Sequence, residues 1–217
     1  MIEKKDKKKP WRAFAGAAIV LSVAAIAGQS VLSSLNATAF NTVAQNVNAG
    51  TLKLDLANSG NGFGTSISNL VPGDIVNRYV TLTNSGTLDG INLTLKTAQT
   101  GTASLYTDGV SPSTTKALRL TINSCSQPWN TSNGSCGGTT ATEIAAAPLD
   151  SYGVAKSFAS ASMISGAVKY LQVQLQLPDQ NETTVNGVLP ANTVQGGTVG
   201  ITYTFDFAQR VATTTNS

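Results

Sequence analysis

Alternation of apolar and polar residues at every second position is the feature that most constrains what this chain can fold into. Residues 170–177 show it most clearly, because four apolar residues there alternate with a tyrosine and three glutamines. The alternating segments are 51–56, 79–83, 91–95, 118–122, 170–177 and 199–207. A period of two places successive side chains on opposite faces of a strand, so each segment predicts a β-strand with one buried and one wet face.

Turn residues separate these segments and favour antiparallel connections. Pro72-Gly73 suits the two central positions of a type II turn, and Asp89-Gly90 is a dipeptide typical of hairpins. Six or more half-buried strands joined by such turns predict an all-β protein, built as an antiparallel β-sandwich.

Three stretches depart from the alternation. Residues 104–115 and 180–195 are polar and rich in turn-forming residues, and we expect surface loops there. Residues 152–168 are rich in Ala and Ser, and we expect one or two short helices there, weakened by Ser and Gly.

The basic charge is concentrated at the start of the chain. Residues 1–12 hold six basic and two acidic side chains, and residues 13–35 carry no charge. This arrangement predicts a signal-peptide helix within residues 1–39, cleaved between Ala39 and Phe40 after an Ala-x-Ala motif. An uncleaved leader retained as a membrane anchor is the alternative, and it is the only membrane contact we expect. Either outcome places the protein outside the cell or on its surface.

The rest of the chain is long enough for one β-sandwich domain and carries little net charge. We expect the sandwich to occupy residues 49–210, followed by a polar tail at 211–217. Because basic and acidic residues nearly balance after residue 12, there is no basic surface for nucleic acid, and no such partner is expected.

The chain lacks the residues that most enzymes and metal sites use. It contains no His, which excludes His-dependent triads and the HExxH zinc motif. Glu143 and Glu182 are the only Glu after the leader, and the seven Asp are scattered over loops and strand faces. The simplest interpretation is solvated surface carboxylates, and the alternative is a Ca²⁺ site where two or three Asp meet. We predict no catalytic residue, no metal ligand and no cofactor.

The two cysteines fit an exported protein. An even number of Cys in an oxidising compartment indicates a disulfide, here between Cys125 and Cys136, and the alternative is a pair of free thiols.

Several motifs in a common order resemble the TasA/camelysin family. They are the aromatic-Asn start at 40–41, the strand 49–56, the turns at 69–74 and 84–88, and the C-terminal strand that ends at 205–209. The resemblance implies a jelly-roll sandwich that polymerises into extracellular fibres of the biofilm matrix, with itself and possible accessory subunits as partners. It also implies that the segment after the cleavage site completes the sheet of the next subunit.

Residues 40–48 are the candidate donor strand implied by this resemblance. Phe40, Val43 and Val47 would be its apolar anchors, although the spacing between Phe40 and Val43 requires a bulge or turn. An ordinary first strand of the same domain and an unstructured tail are the alternatives.

Two other functions remain open at this point. A monomeric adhesin or carbohydrate-binding sandwich would use aromatic residues, of which Trp129 and Tyr106 are the candidates. The family also contains proteins described as camelysin, a surface metallopeptidase. That activity agrees poorly with a chain that has no His and whose two remaining Glu are far apart in sequence.

Overall fold

The alternating segments form the long strands of two antiparallel sheets. The computed structural model describes residues 48–60, 62–64, 67, 69–109, 115–179, 182–191 and 193–214. All of these except Asn48 belong to one unit, Ala49–Ser217. The strands are β1 (Leu54–Ser59), β2 (Ile75–Asn84), β3 (Gly90–Gly101), β4 (Arg119–Cys125), β5 (Trp129–Asn130), β6 (Ser135–Cys136), β7 (Thr140–Pro148), β8 (Lys156–Ser157), β9 (Val168–Gln176) and β10 (Val199–Gln209).

Several sequence predictions fall outside these residues. They are the signal-peptide helix, the cleavage site at Ala39 and Phe40, and the donor-strand anchors Phe40, Val43 and Val47. Within the described part of the chain, no helix is long and apolar enough to cross a membrane.

The two sheets are unequal in size. The larger has five strands in the order β1-β2-β9-β4-β7, and the smaller has three in the order β10-β3-β8. All strand pairs in both sheets are antiparallel. The chain crosses from β2 in the larger sheet to β3 in the smaller one and back to β4, which gives the jelly-roll-like connection. The all-β, antiparallel fold class is therefore confirmed.

Alternation along the strands sets the core between the sheets. The side chains that point inward from β2, β3, β4 and β9 are almost fully buried: Val80, Leu82, Leu93, Leu95, Leu120, Ile122, Leu171 and Val173. The residues that alternate with them along each strand, such as Thr81 and Thr121, are less buried and face outward. Burying aliphatic side chains of this size stabilises the fold by roughly 1.5–3 kcal/mol each.

The turn predicted at Pro72-Gly73 is present. The amide of Asp74 donates to the carbonyl of Val71 over 3.0 Å, and Gly73 has a φ of 94°. A residue with a Cβ is disfavoured at that φ, which explains why Gly occupies the position.

The prediction of helices in 152–168 was wrong. A 3₁₀ helix covers Leu149–Gly153, and the chain then runs extended beside β3. Backbone bonds join Phe158 to Leu93 and Met163 to Gly90, so the backbone is satisfied by strand pairing instead of helical bonds. Because Ser and Gly weaken helices, pairing with β3 is more favourable for this segment than a helix.

The two segments predicted as surface loops, 104–115 and 180–195, each contribute a residue to the core. A 3₁₀ helix, Ala103–Leu105, places Leu105 in the core, and Val194 is also buried. Strand β7 was missed because Thr140–Pro148 is rich in Ala and pairs with β4 through register shifts, which break the strict alternation.

Candidate functional site: an inter-sheet groove

The smaller sheet leaves part of the larger sheet uncovered. Leu56 of β1 pairs with Leu82 of β2, so the two side chains lie on the same inward face. Leu82 is fully buried, whereas Leu56 is 46% exposed. An inward-facing leucine with this exposure indicates that, within the described part of the chain, β1 is not fully covered at this position.

Strand β10 forms the edge of the smaller sheet on the same side. It pairs with β3, and no strand of the described chain pairs with its other edge. Ile201, Tyr203 and Phe205 alternate along its inward face and are only partly buried against the core. An edge strand with unpaired backbone groups and an apolar inward face is suited to accept another strand.

A groove of about 870 Å³ lies between the two sheets beside this edge. We call it the inter-sheet groove. Its described apolar walls come from Phe63, Ile67, Leu70, Val71, Leu105, Leu118, Leu175, Leu177, Val194, Val199, Ile201 and Tyr203. Its size and apolar lining fit a ligand of peptide or small-molecule size.

Phe63, from the connection between β1 and β2, forms one wall of the groove. Its ring stacks on that of Tyr203, with centroids 4.3 Å apart and planes 6° apart. The Asn58 side chain holds the Phe63 backbone by two hydrogen bonds, accepting from its amide over 3.0 Å and donating to its carbonyl over 3.2 Å. The wall is therefore fixed by local contacts.

Two charged side chains line the groove among the described residues, Arg78 and Glu182. Arg78 lies on β2 in the inward set with Val80 and is 9% exposed. Burial raises the pKa of the Tyr203 hydroxyl well above its ordinary value, and the positive charge of Arg78 partly opposes that shift. The charge of Arg78 therefore reaches Tyr203, on the β10 side of the groove.

Glu182 is already engaged by the protein. Its carboxylate accepts from Lys116, from the Thr193 hydroxyl and from the amide of Val194, the last over 3.2 Å. Burial raises the pKa of Glu182, but the hydrogen bonds from Lys116, Thr193 and Val194 outweigh it and hold the pKa below its ordinary value. Glu182 therefore closes one side of the groove as a structural anion.

The second buried carboxylate, Glu143, lies in a separate cluster. It accepts from the backbone amide of Ser160 over 2.8 Å, from the Ser160 hydroxyl over 2.5 Å and from the Lys169 ammonium over 3.2 Å. Lys169 also contacts the Ser160 hydroxyl over 2.5 Å, so the three side chains form one cluster of hydrogen bonds around an ion pair.

The disulfide joins Cys125 and Cys136, with Cα atoms 5.8 Å apart. It closes a ribbon of β5 and β6 that covers the outward face of β2 and β9. Trp129 in this ribbon lies 5.9 Å from the ring of Tyr79, and its indole N–H donates to the carbonyl of Tyr170 over 3.0 Å. Trp129 is therefore partly buried and packs the ribbon against the larger sheet.

The described chain enters the sandwich at the end opposite to the groove. The amide of Thr51 donates to the Thr87 hydroxyl over 2.8 Å, and the amide of Thr87 donates to the Thr51 carbonyl over 2.8 Å. These residues lie beyond the end of β2 at Asn84, whereas Arg78 and Pro72 line the groove near its start. At ~3.3 Å per residue, Asn84 and Arg78 are roughly 20 Å apart along the strand.

The fold and this site define an antiparallel β-sandwich in which the terminal strand β10 of the smaller sheet borders a groove with apolar walls. The model of the family described as camelysin metallo-endopeptidase matches residues 8–214. The chain therefore belongs to the camelysin family, which confirms the TasA/camelysin resemblance. No curated protein sequence matches the chain.

The residues present do not fit the zinc centre that the family's description implies. The chain has no His, its two cysteines are joined in the disulfide, and Glu143 and Glu182 are held by separate lysines. In the described ranges, no three residues of the His, Cys, Asp or Glu types come together in a way that could hold a metal ion. We derive no hydrolytic step for this chain.

The residues that shape the groove were not predicted from the sequence. Phe63 lies in the connection after β1, and Arg78 directly precedes the alternating segment at 79–83. The signal that was available for Arg78 is its period-two spacing from Val80 and Leu82, which places a cation on the inward face.

Proposed function

We propose that this protein is an exported structural subunit of extracellular fibres, in which residues 40–48 of one subunit fill the inter-sheet groove of the next. The observation that supports this proposal is the unpaired edge of β10, whose residues Val199, Ile201 and Tyr203 line the groove. Leu56, on the inward face of β1, is also half exposed. A strand added to that edge would extend the smaller sheet over β1, and its main chain would satisfy the open backbone groups of β10.

The length of the donor matches the edge. Nine residues in extended conformation span ~30 Å. Strand β10 has 11 residues, so a nine-residue strand would pair with most of it. The donor would contribute Phe40, Val43 and Val47 as apolar anchors, in agreement with the apolar groove walls.

The position of the chain entry favours donation to another subunit. The described chain makes its first contacts with the sandwich at Thr51, beside Thr87, at the end opposite to the groove. A donor strand that leads away from that end would make a head-to-tail contact with the next subunit, which does not close on itself and produces open filaments. Fibre growth would therefore follow from the geometry of a single subunit.

The first experiment compares a chain that starts at Phe40 with one that starts at Ala49. We expect filaments in negative-stain electron microscopy from the first and monomers from the second, because only the first carries the donor. A chain ending at Arg210, which keeps the donor but lacks the polar tail, serves as the matched control and is expected to form filaments. Filaments from the chain that starts at Ala49 would overturn the proposal.

A peptide experiment separates groove binding from aggregation. A synthetic peptide of residues 40–48 should raise the Tm of the 49–217 chain, whereas a scrambled peptide of the same composition should not. At a hundred-fold excess over Kd, ligand binding stabilises by about 2.7 kcal/mol. For a domain of this size that corresponds to a Tm increase of roughly 5–10 °C.

A further inference from the structure

A short hairpin turn beside the inter-sheet groove has a fixed backbone. The amide of Val185 donates to the carbonyl of Val188 over 3.0 Å, and the amide of Val188 donates to the carbonyl of Val185 over 2.9 Å. Asn186 and Gly187, with φ of 51° and 76°, occupy the two central positions, as in a type I′ turn. Because the turn is closed by both hydrogen bonds, the two valines keep one arrangement on the surface.

The side chains of this hairpin are unusually apolar for an exposed turn. Val185 and Val188 are each more than two-thirds exposed, and Leu189 is exposed as well. Three such residues within five positions form a patch, and exposed apolar patches mark interaction surfaces. We call Val185, Val188 and Leu189 the apolar hairpin. It lies between Glu182 and Val194, which both line the groove, so it stands at the rim of the groove.

A second group of exposed aliphatic side chains lies at the opposite end of the sandwich. Leu52, Ile164 and Val168 are all exposed there. We call them the entry patch, because the described chain enters the sandwich beside them. They belong to two segments that flank the end of β2, residues 51–53 on the side of β1 and 164–168 on the side of β9. Adjacent strands are ~4.8 Å apart, so these two segments are about 10 Å apart.

The two surfaces are built mainly from uncharged segments. Residues 183–205 and 157–168 carry no charge, so a contact between them would desolvate few ions. Residues 183–202 also contain no Lys, Arg, Trp, Tyr or Phe, the residue types that anchor surface segments in a membrane interface. An apolar protein surface therefore suits the apolar hairpin better than a lipid headgroup layer.

We propose that the apolar hairpin of one subunit packs against the entry patch of the next subunit along the fibre. The two surfaces lie at opposite ends of one sandwich, so they can meet only between two copies of the chain. This inference rests on the proposed strand donation. A donor strand that leads from the entry end of one subunit to the groove of the next would bring the entry patch to the rim that carries the apolar hairpin.

Charge substitutions at exposed aliphatic residues test this contact without altering the core. All are made in the chain that starts at Phe40, and sedimentation measures the critical concentration for assembly. Val188→Lys and Ile164→Glu should each raise that concentration roughly ten-fold or more, because each places a charge in an apolar contact. Val154→Lys, at a similarly exposed valine outside both surfaces, should remain within about three-fold of the unmodified chain. Equal critical concentrations for Val188→Lys and Val154→Lys would overturn the contact.

The two charge substitutions combined in one chain test whether the two surfaces are partners. Val188→Lys of one subunit and Ile164→Glu of the next then place opposite charges across the same contact. The critical concentration should therefore fall at least about three-fold below that of either single variant. A combined variant that assembles no better than the single variants would show that the hairpin and the patch do not meet.

A peptide measurement separates the contact from groove binding. In the 49–217 chain, Val188→Lys should leave unchanged the Tm increase that the peptide of residues 40–48 causes, because Val188 does not line the groove. Loss of that increase would mean that the substitution acts on the groove, and the contact would be refuted. If the chain that starts at Phe40 forms no filaments, strand donation and the contact both fail. Filaments that Val188→Lys leaves unaffected refute the contact alone.

A vesicle experiment examines the alternative partner of the apolar hairpin. The 49–217 chain is sedimented with vesicles of phosphatidylcholine and phosphatidylglycerol, and we expect it to remain in the supernatant. Binding that Val188→Lys abolishes, together with unchanged filament assembly, would assign the hairpin to a membrane surface and overturn the contact between subunits.

Discussion

At the scale of single residues, the buried Glu143 shows how a carboxylate contributes to stability here. Its side chain is 2% exposed and that of Lys169 is 14% exposed. Burial raises the pKa of Glu143, but hydrogen bonds from Ser160 and Ser124 together with the Lys169 charge outweigh it and hold the pKa below the ordinary 4.5. The charged form is therefore favoured in the folded state.

Replacement of this carboxylate gives a direct test. Glu143→Gln should lower the free energy of unfolding at pH 7 by about 1–3 kcal/mol, because Lys169 loses its counter-charge in a poorly hydrated place. Urea denaturation measures the change. Asp55→Asn, which removes a half-exposed carboxylate that accepts from Lys53 and from the Ser85 hydroxyl, is the control and should have a much smaller effect than Glu143→Gln.

The pH dependence of that difference follows from linkage. A folded-state pKa below the unfolded value gives stability that is complete above about 4.5 and is lost as the pH falls through the folded-state pKa. The gap between the unmodified chain and Glu143→Gln should therefore shrink as the solution is acidified below pH 4.5. A gap that stays constant down to pH 2 would contradict the assigned role of the charge.

At the scale of elements, the disulfide ribbon and the groove lie on opposite faces of the larger sheet. Trp129 and Tyr79 pack on the outward face, whereas Arg78 and Val80 belong to the inward face. The ribbon can therefore lose stability without a change in the shape of the groove.

Removal of the disulfide tests this separation. Cys125→Ser with Cys136→Ser should lower the free energy of unfolding by about 3 kcal/mol, the chain-entropy value for a loop of this length. The corresponding decrease in Tm is roughly 6–12 °C, measured by calorimetry. Filament formation below the new Tm should be unaffected. A variant that folds but does not assemble would show that the ribbon takes part in subunit contacts.

At the scale of the whole molecule, the proposed strand donation would make the filament polar, because the described chain begins beside Thr87, at the end of the sandwich opposite to the groove. Under that proposal, a subunit without residues 40–48 keeps its groove but has no strand to donate. It would then be added to one end of a growing filament and would block further growth at that end.

Mixed assembly measures this polarity. Small molar fractions of the 49–217 chain added to the chain that starts at Phe40 should shorten the filaments, with the mean length falling in inverse proportion to the fraction added. Electron microscopy of the mixtures gives the length distribution. An unrelated folded protein at the same concentration controls for crowding. Unchanged lengths would mean that the truncated chain does not occupy filament ends.

The sequence predicted the strands with strict alternation because a period of two reports burial on one face directly. Strands β1, β2, β3, β4, β9 and β10 were located in this way, although β2 begins four residues before its alternating segment and β3 continues six residues beyond its own. Strand β7 and the extended stretch after Gly153 were missed. Their backbones are fixed by pairing with β4 and β3, and no local pattern reports a partner that is distant in sequence.

The amino-acid sequence by itself determined the all-β class, through local periodicity, and the family, through motifs in a common order. It also determined the cysteine pairing, because the chain has two cysteines and therefore one possible pair. Only the tertiary structure decided that the sheets have five and three strands, that Leu56 remains half exposed, and that Arg78 faces a groove. Period two tells which residues share a face but not whether another strand covers that face. Whether a face is covered depends on how many strands each sheet contains, which is a property of the folded sandwich and not of any one segment.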